Sequence, residues 1–163
     1  MSQLPPLLEG WTVLVADDEP DSLDVARRLL VKAGAVVLTA TDGAEALVAI
    51  QQHRPDCVLS DLSMPEMDGW LLIAALNKSR PTSAIPVIAL TAHAMPGDRQ
   101  RAIQSGFVNY ITKPLDARKF ISQLLTILVD IPDLAHRFKT ETQEVIAVQN
   151  PPVAVATPNN VSA

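Results

Sequence analysis

Cys57-Val58-Leu59-Ser60-Asp61 runs without a break into Leu62-Ser63-Met64-Pro65-Glu66-Met67-Asp68-Gly69, and its reading decides the fold. Four residues with almost no polar alternation predict a strand buried on both faces, which is the mark of a parallel sheet covered by helices on either side. A lone carboxylate closes that strand, where packing has no use for it. Three more apolar runs end in the same manner. Val13-Leu14-Val15-Ala16 meets Asp17-Asp18, Val87-Ile88-Ala89-Leu90 meets Thr91, and Phe107-Val108-Asn109-Tyr110-Ile111-Thr112 meets Lys113-Pro114.

Helical periods fill the gaps between these runs. Leu23, Ala26, Leu30 and Ala33 recur at helical spacing after Pro20, which suits a first turn, and Gly34 stops the pattern. A short run, Ala35 to Ala40, follows. Asp42-Gly43 then opens a second helix carrying Ala44, Leu47, Val48 and Ile50 inward. Trp70, Ile73, Ala74 and Asn77 mark a third, ended by Arg80-Pro81. A fourth is predicted from Pro96 towards Ser105 with Gly106 as its cap, and a fifth from Asp116 with Phe120, Ile121, Leu124, Ile127 and Leu128 on its inner face. Five strands alternating with five helices predict an α/β fold of the flavodoxin-like (βα)5 kind, a doubly wound parallel sheet in strand order 2-1-3-4-5. Ligands in such sheets bind beyond the carboxyl ends of the strands, so Asp17, Asp18, Asp61, Thr91 and Lys113 are expected to share one pocket.

Composition narrows the chemistry. The 163 residues suit one domain with extensions, and a hydrophobic content of 48% is ample for a core. A formal net charge of −5 argues against a nucleic-acid surface, which needs clustered Lys and Arg. Cys57 is the single cysteine, so neither a disulfide framework nor a thiolate metal site is available. The N-terminal stretch lacks a basic n-region and is broken by Pro5-Pro6, unlike a signal peptide, and no apolar run approaches a membrane span. A soluble, cytoplasmic protein is expected, with residues 1–10 as an N-terminal extension, 11–129 as the domain, and 130–163 as a partly helical or disordered tail. Leu134, Phe138, Val145 and Ile146 form only a weak helical face there, and Pro151-Pro152 and Pro158 interrupt it.

Three carboxylates in one cleft repel each other unless a cation sits among them, and Lys113 brings one positive charge. An all-oxygen donor set without Cys or His selects a hard divalent ion, and a shallow site keeping several waters suits Mg²⁺. One of the Asp carboxylates could then attack a phosphoryl group and hold it as an acyl phosphate, with Lys113 and Thr91 facing the oxygens that carry the transition-state charge. Blander readings exist for each residue alone. Asp17-Asp18 can cap a helix, Asp61 can belong to a turn, Thr91 can be an ordinary strand residue and Lys113 a solvated charge. Their joint register at four strand ends outweighs them. His53, His93 and His136 read as surface or loop residues, and Trp11 and Trp70 as packing area, the latter near the site rim.

From about Trp11 to Val129 the chain resembles the receiver domain of two-component response regulators, and Thr91-Ala92-His93-Ala94-Met95-Pro96-Gly97-Asp98-Arg99 resembles receivers associated with hybrid histidine kinases. The resemblance implies Asp61 as phosphoacceptor. It implies Mg²⁺ on Asp18, Asp61 and the Ser63 carbonyl, with Asp17 acting mainly through metal-bound water. It also implies Lys113 paired with the phosphoryl group, Thr91 hydrogen-bonded to it, backbone N–H groups of Ser63 and Ala92 around it, and a cis Lys113–Pro114 bond. Tyr110 matches the switch aromatic that turns inward with Thr91, so phosphorylation would shift the population of the surface made by the fourth helix, fifth strand and fifth helix, a face that also suits a homodimer.

The implied partners are a histidine kinase or histidine phosphotransfer protein, docking at the first helix where Pro20 and Leu23 are apolar, and a downstream protein target. Neither nucleic acid nor membrane is expected. On this reading the chain is a phosphoacceptor and not a dedicated enzyme. An aspartyl-phosphate phosphatase or phosphotransferase is the enzymatic rival, disfavoured because Ser63 stands where haloacid-dehalogenase-type enzymes carry a second Asp. A phosphorylation-independent scaffold is the third reading, disfavoured because every charged and hydroxyl position is kept. Ser63 and His93 sit where the family tunes acyl-phosphate lifetime.

Overall fold

The computed structural model describes residues 7–92 and 95–135. Five parallel strands, β1 (Thr12–Ala16), β2 (Val36–Ala40), β3 (Cys57–Asp61), β4 (Val87–Thr91) and β5 (Asn109–Thr112), form one sheet in the order β2-β1-β3-β4-β5. The longer helices are α1 (Pro20–Lys32), α2 (Gly43–His53), α3 (Gly69–Asn77), α5 (Asp98–Ser105) and α6 (Phe120–Val129), with single turns α4 (Arg80–Ser83) and α7 (Pro132–Ala135).

Strand alternation sorts the core into two layers. Val13 and Val15 of β1, Cys57 and Leu59 of β3, and Ile88 and Leu90 of β4 face one side, where Ala26 and Leu30 of α1 and Phe120, Leu124 and Leu128 of α6 cover them. Leu14 and Ala16, Val58, and Val87 and Ala89 face the other, beneath Ala46 and Ile50 of α2, Leu72, Ile73 and Leu76 of α3, and Ala102 of α5. Double coverage is why β3 and β4 are buried at every residue. The expectation of two-sided burial fails at the edges. Val36 of β2 is exposed and three of four β5 residues are only partly covered or exposed, because an edge strand has a neighbour on one side only.

Local signals explain the helix ends. The Asp42 carboxylate caps α2 by accepting from the Glu45 N–H at 2.7 Å, and Asp68 caps α3 by accepting from the Leu71 N–H at 2.8 Å. Gly106, with φ of 111°, closes α5 in the left-handed region, and an added Cβ would collide with the Asn77 side chain.

Several boundaries differ from the sequence reading. Arg80-Pro81 opens the extra turn α4 after α3 has ended at Asn77, since proline suits a first helical turn. The predicted fourth helix is α5 and starts at Asp98, after the left-handed Gly97. The predicted fifth helix is α6 and starts at Phe120, because the Asp116 carboxylate and carbonyl hold Arg118, Lys119 and Phe120 in a preceding turn. Leu8, ahead of the expected boundary at residue 11, is fully buried and donates its N–H to the Ala33 carbonyl at 2.8 Å. Beyond Val129, Ile131 and Leu134 pack against the same layer. His93, His136, Phe138, Val145, Ile146, Pro151-Pro152 and Pro158 lie outside the described residues.

Candidate functional site

Parallel register brings the strand ends level. Ala16 pairs with Ser60, so Asp17 and Asp61 emerge side by side from β1 and β3, and Thr91 pairs with Thr112 one residue before Lys113. The chain leaves β1 towards β2 on one side and returns through β3 on the other, which opens a crevice between their carboxyl ends. All five residues expected to converge do so.

Lys113 is the hub. Its ammonium lies 2.6 Å from Asp17 Oδ2 and donates to Asp61 Oδ2 at 2.9 Å, with Glu19 Oε2 at 3.9 Å. The Lys113 side chain is only 8% exposed and Asp17 only 1%. The Lys113 peptide N–H donates to the Thr91 carbonyl at 2.7 Å, and the Lys113–Pro114 peptide is cis, as the resemblance implies. Asp17 Oδ1 accepts from the Glu19 N–H at 3.0 Å, while Oδ2 is paired with the Lys113 ammonium. Asp61 Oδ1 accepts from the Ser63 N–H at 3.2 Å. Asp61 is thus held at both oxygens yet remains at the floor of an open cleft of about 460 Å³.

Burial and pairing pull the two carboxyls apart. Burial raises the pKa of Asp17, but Lys113, the Glu19 N–H and the Ser22 hydroxyl outweigh it and hold the carboxyl below its ordinary value. For Asp61 burial wins, aided by the charge of Asp17, and its carboxyl is raised despite Lys113 and the Ser63 N–H. Burial pushes Lys113 down, yet its bonds to both carboxylates outweigh this and leave the ammonium raised.

One ammonium among three acids leaves an excess of negative charge. Ligand oxygens of Asp17, Asp18 and Asp61 lie within 4.8 Å of one another, Asp18 being exposed to solvent. Their oxygen-only character and the open side at Asp18 fit a hard, partly hydrated divalent cation.

The cleft is lined by Asp61, Leu62, Ser63, Thr91, Ala92 and Lys113, among others. Thr91 is buried at its rim, 7% exposed. Tyr110 does not line it. That ring is half-buried against the second layer and borders a separate hollow of about 420 Å³ between α5 and α6, with Arg99, Gln123 and Ile127. On α1, Leu23 packs inward against the core, while Val25 and Val31 are left 39% and 50% exposed.

Four features escaped sequence reasoning. Glu19 reaches Lys113, the Ser60 hydroxyl donates to the Asp61 carbonyl at 2.9 Å, and Gly69 packs so closely on that carbonyl that a Cβ would clash with it. Arg101 also lines the cleft, beside Trp70, which the sequence places near the site rim. Only Glu19 carried a signal, its place beside Asp17-Asp18; the Ser60 bond is local to β3, and the contacts of Gly69 and Arg101 arise from the return of α3 and α5 over the sheet.

Residues 13–125 match the family model described as the response regulator receiver domain. The chain belongs to the response regulator receiver family. The polar-differentiation response regulator DivK of Brucella anthropi is 34% identical over 119 residues, which are 73% of this chain and 97% of DivK. The sensor protein GacS of Pseudomonas syringae pv. syringae is 40% identical over 116 residues, 69% of this chain but 13% of GacS. Among solved structures, the receiver domain of the sensor histidine kinase PA1611 from Pseudomonas aeruginosa PAO1, with magnesium coordinated in its active-site cleft, matches with a TM-score of 0.65 at 30% identity, covering 74% of this chain and 96% of that one. This receiver therefore serves two-component signal transduction, and its acidic pocket of Asp17, Asp18 and Asp61 fits a phosphoacceptor site. Among the described residues no helix is long and apolar enough to cross a membrane.

Proposed function

We propose that this receiver takes a phosphoryl group onto Asp61 from a phosphohistidine on a kinase or a histidine phosphotransfer protein, and signals through protein contacts. The observation that carries the reading is the bridge of Lys113 to Asp17 at 2.6 Å and Asp61 at 2.9 Å, at the mouth of a parallel sheet. In the transfer, a lone pair of an Asp61 carboxylate oxygen forms the new P–O bond as the P–N bond breaks, and the imidazole nitrogen keeps the departing pair. Lys113 stays beside the phosphoryl oxygens, and Thr91 and the N–H groups of Ser63 and Ala92 complete their surroundings. Asp18, Asp61, the Ser63 carbonyl and, less directly, Asp17 would hold Mg²⁺, which would supply the positive charge that Lys113 alone does not.

The chain's own role is to position and screen. It is a phosphoacceptor with intrinsic transfer and self-dephosphorylation, not a dedicated enzyme, and the cytoplasm is the compartment where ATP-fed kinases could reach it. Tyr110 and Thr91 act as the switch pair. Their inward turn would remodel the face of α5, β5 and α6, which also serves a homodimer or a downstream protein. The docking face for the donor is α1 with the Pro114 loop, where Val25, Pro114 and Leu115 border a hollow of about 460 Å³.

The test is incubation with Mg²⁺ and an autophosphorylated histidine kinase or acetyl phosphate, followed by intact mass. One phosphoryl adduct that Asp61→Asn abolishes supports the reading. An adduct of equal yield in the variant overturns it.

A further inference from the structure

Charge in the cleft is lopsided. Among the described residues Asp18, Glu19, Asp61 and Asp98 line it, against two cations, Lys113 and Arg101. Lys113 is committed to Asp17 and Asp61 before any ligand arrives. Arg101, on the second turn of α5, is different. Its guanidinium carbon sits 4.2 Å from the centre of the Trp70 ring, and among the described residues no carboxylate pairs with it. Asp98, one turn earlier, turns its Oδ2 to the Met95 N–H at 2.9 Å instead. Trp70 is itself fixed, edge-on to the buried Phe107 with centroids 5.7 Å apart and planes at 89°. An arginine at the mouth of an acidic cleft is therefore stored on an aromatic face, through a cation–π contact that a stronger partner can displace.

We propose that Arg101 is a second phosphoryl-facing cation of this receiver, held on Trp70 until an anionic phosphoryl group enters the cleft and draws its guanidinium across. This rests on the reading of Asp61 as phosphoacceptor. A guanidinium suits the task, because its planar fork gives two parallel charge-assisted hydrogen bonds to phosphate oxygens, which an ammonium cannot match. It offsets the four carboxylates that line the cleft and repel an incoming donor. With acetyl phosphate, the Asp61 oxygen bonds to phosphorus, the bond from phosphorus to the acetate oxygen breaks, and acetate leaves with the pair; Arg101 donates hydrogen bonds and transfers nothing.

The test uses the full chain with Trp11→Phe, which leaves Trp70 as its one tryptophan. Acceptance from acetyl phosphate in saturating Mg²⁺ is timed by intact mass, and Trp70 emission is followed as Mg²⁺ and beryllium fluoride, a phosphoryl mimic, are added. The expected result is an acceptance rate about tenfold lower in Arg101→Ala, partly recovered in Arg101→Lys, and unchanged in Lys78→Ala, an exposed cation at the end of α3. Mg²⁺ affinity should hold in all three. The emission change seen with beryllium fluoride in the parent should be lost in Arg101→Ala. An Arg101→Ala protein that accepts phosphoryl as fast as its parent and shows the same emission change overturns the inference and leaves Asp61 standing. A folded, Mg²⁺-binding parent that accepts none overturns the Asp61 reading, and this inference with it.

Discussion

Replacing Lys113 by alanine removes the one cation that pairs with Asp17 and Asp61 among the described residues and leaves the Asp17 carboxylate, 1% exposed, without its charge partner. Breaking a buried pair by deleting one partner costs roughly 3–5 kcal/mol, because the remaining charge stays desolvated and uncompensated. For a domain of about 120 residues the entropy of unfolding is roughly 0.25 kcal/mol per degree, so Lys113→Ala should lower the metal-free melting temperature by about 12–20 °C. Three conditions separate this cause from lost packing. In chelator at neutral pH the loss is full. With saturating Mg²⁺ it shrinks, since a divalent cation compensates the same carboxylates. In chelator at falling pH it shrinks again as Asp17, no longer held low by Lys113, takes up a proton. Thermal unfolding by circular dichroism at matched pH measures all three. A variant melting within about 2 °C of its parent in chelator, or a deficit indifferent to both Mg²⁺ and pH, would refute the reasoning.

Asp61→Asn should stabilise the metal-free protein, because a carboxyl raised by burial is one whose ionised form the fold disfavours at neutral pH; the gap to the parent should close as pH falls and Asp61 protonates, and a less stable variant in chelator would contradict this. The stability that Lys113 and Asp17 contribute has the usual signs: Lys113, raised, keeps its share below its ordinary 10.5 and loses it as pH climbs through the folded value, whereas Asp17, lowered, keeps its share above 3.8 and loses it as pH falls, so the melting temperature of Asp61→Asn in chelator should plateau between these limits. Asp18→Asn should weaken Mg²⁺ binding about tenfold by calorimetry, a change of roughly 1.4 kcal/mol, with unfolding in chelator unchanged because Asp18 is exposed; equal affinity would remove Asp18 from the metal set. Gly69→Ala should cost about 1–3 kcal/mol and slow phosphoryl acceptance, since its Cβ meets the Asp61 carbonyl, and wild-type melting would show that the loop yields freely.

The strand of Cys57–Asp61 was legible because burial on two faces leaves a continuous apolar run, and the same logic read β1 and β4. It misread the edges, where β2 carries Val36 into solvent: an apolar residue in sequence does not say whether a neighbouring strand or helix will cover it. The site was legible to the extent that it consists of strand termini. Asp17, Asp18, Asp61, Thr91 and Lys113 meet because register in a parallel sheet is set by pattern, and their chemistry is in their side chains. Residues brought by helix packing were not. Arg101 and Trp70 lie 31 positions apart with no spacing rule to join them, and Gly69 reads as an ordinary turn glycine until α3 is laid across the end of β3. Leu8 was missed because Pro5-Pro6 suggested a loose extension, whereas the residues beyond them fold back under α1.

The central claim is that Asp61 carries the phosphoryl group, and chemical mapping tests it most directly. Phosphorylated protein is reduced with borohydride, which converts an aspartyl phosphate into homoserine, then digested and sequenced by tandem mass spectrometry. The account predicts homoserine at position 61 and at no other aspartate. Homoserine at position 17 or 18, or a phosphoryl group stable to borohydride and carried on Ser63 or Thr91, would contradict it.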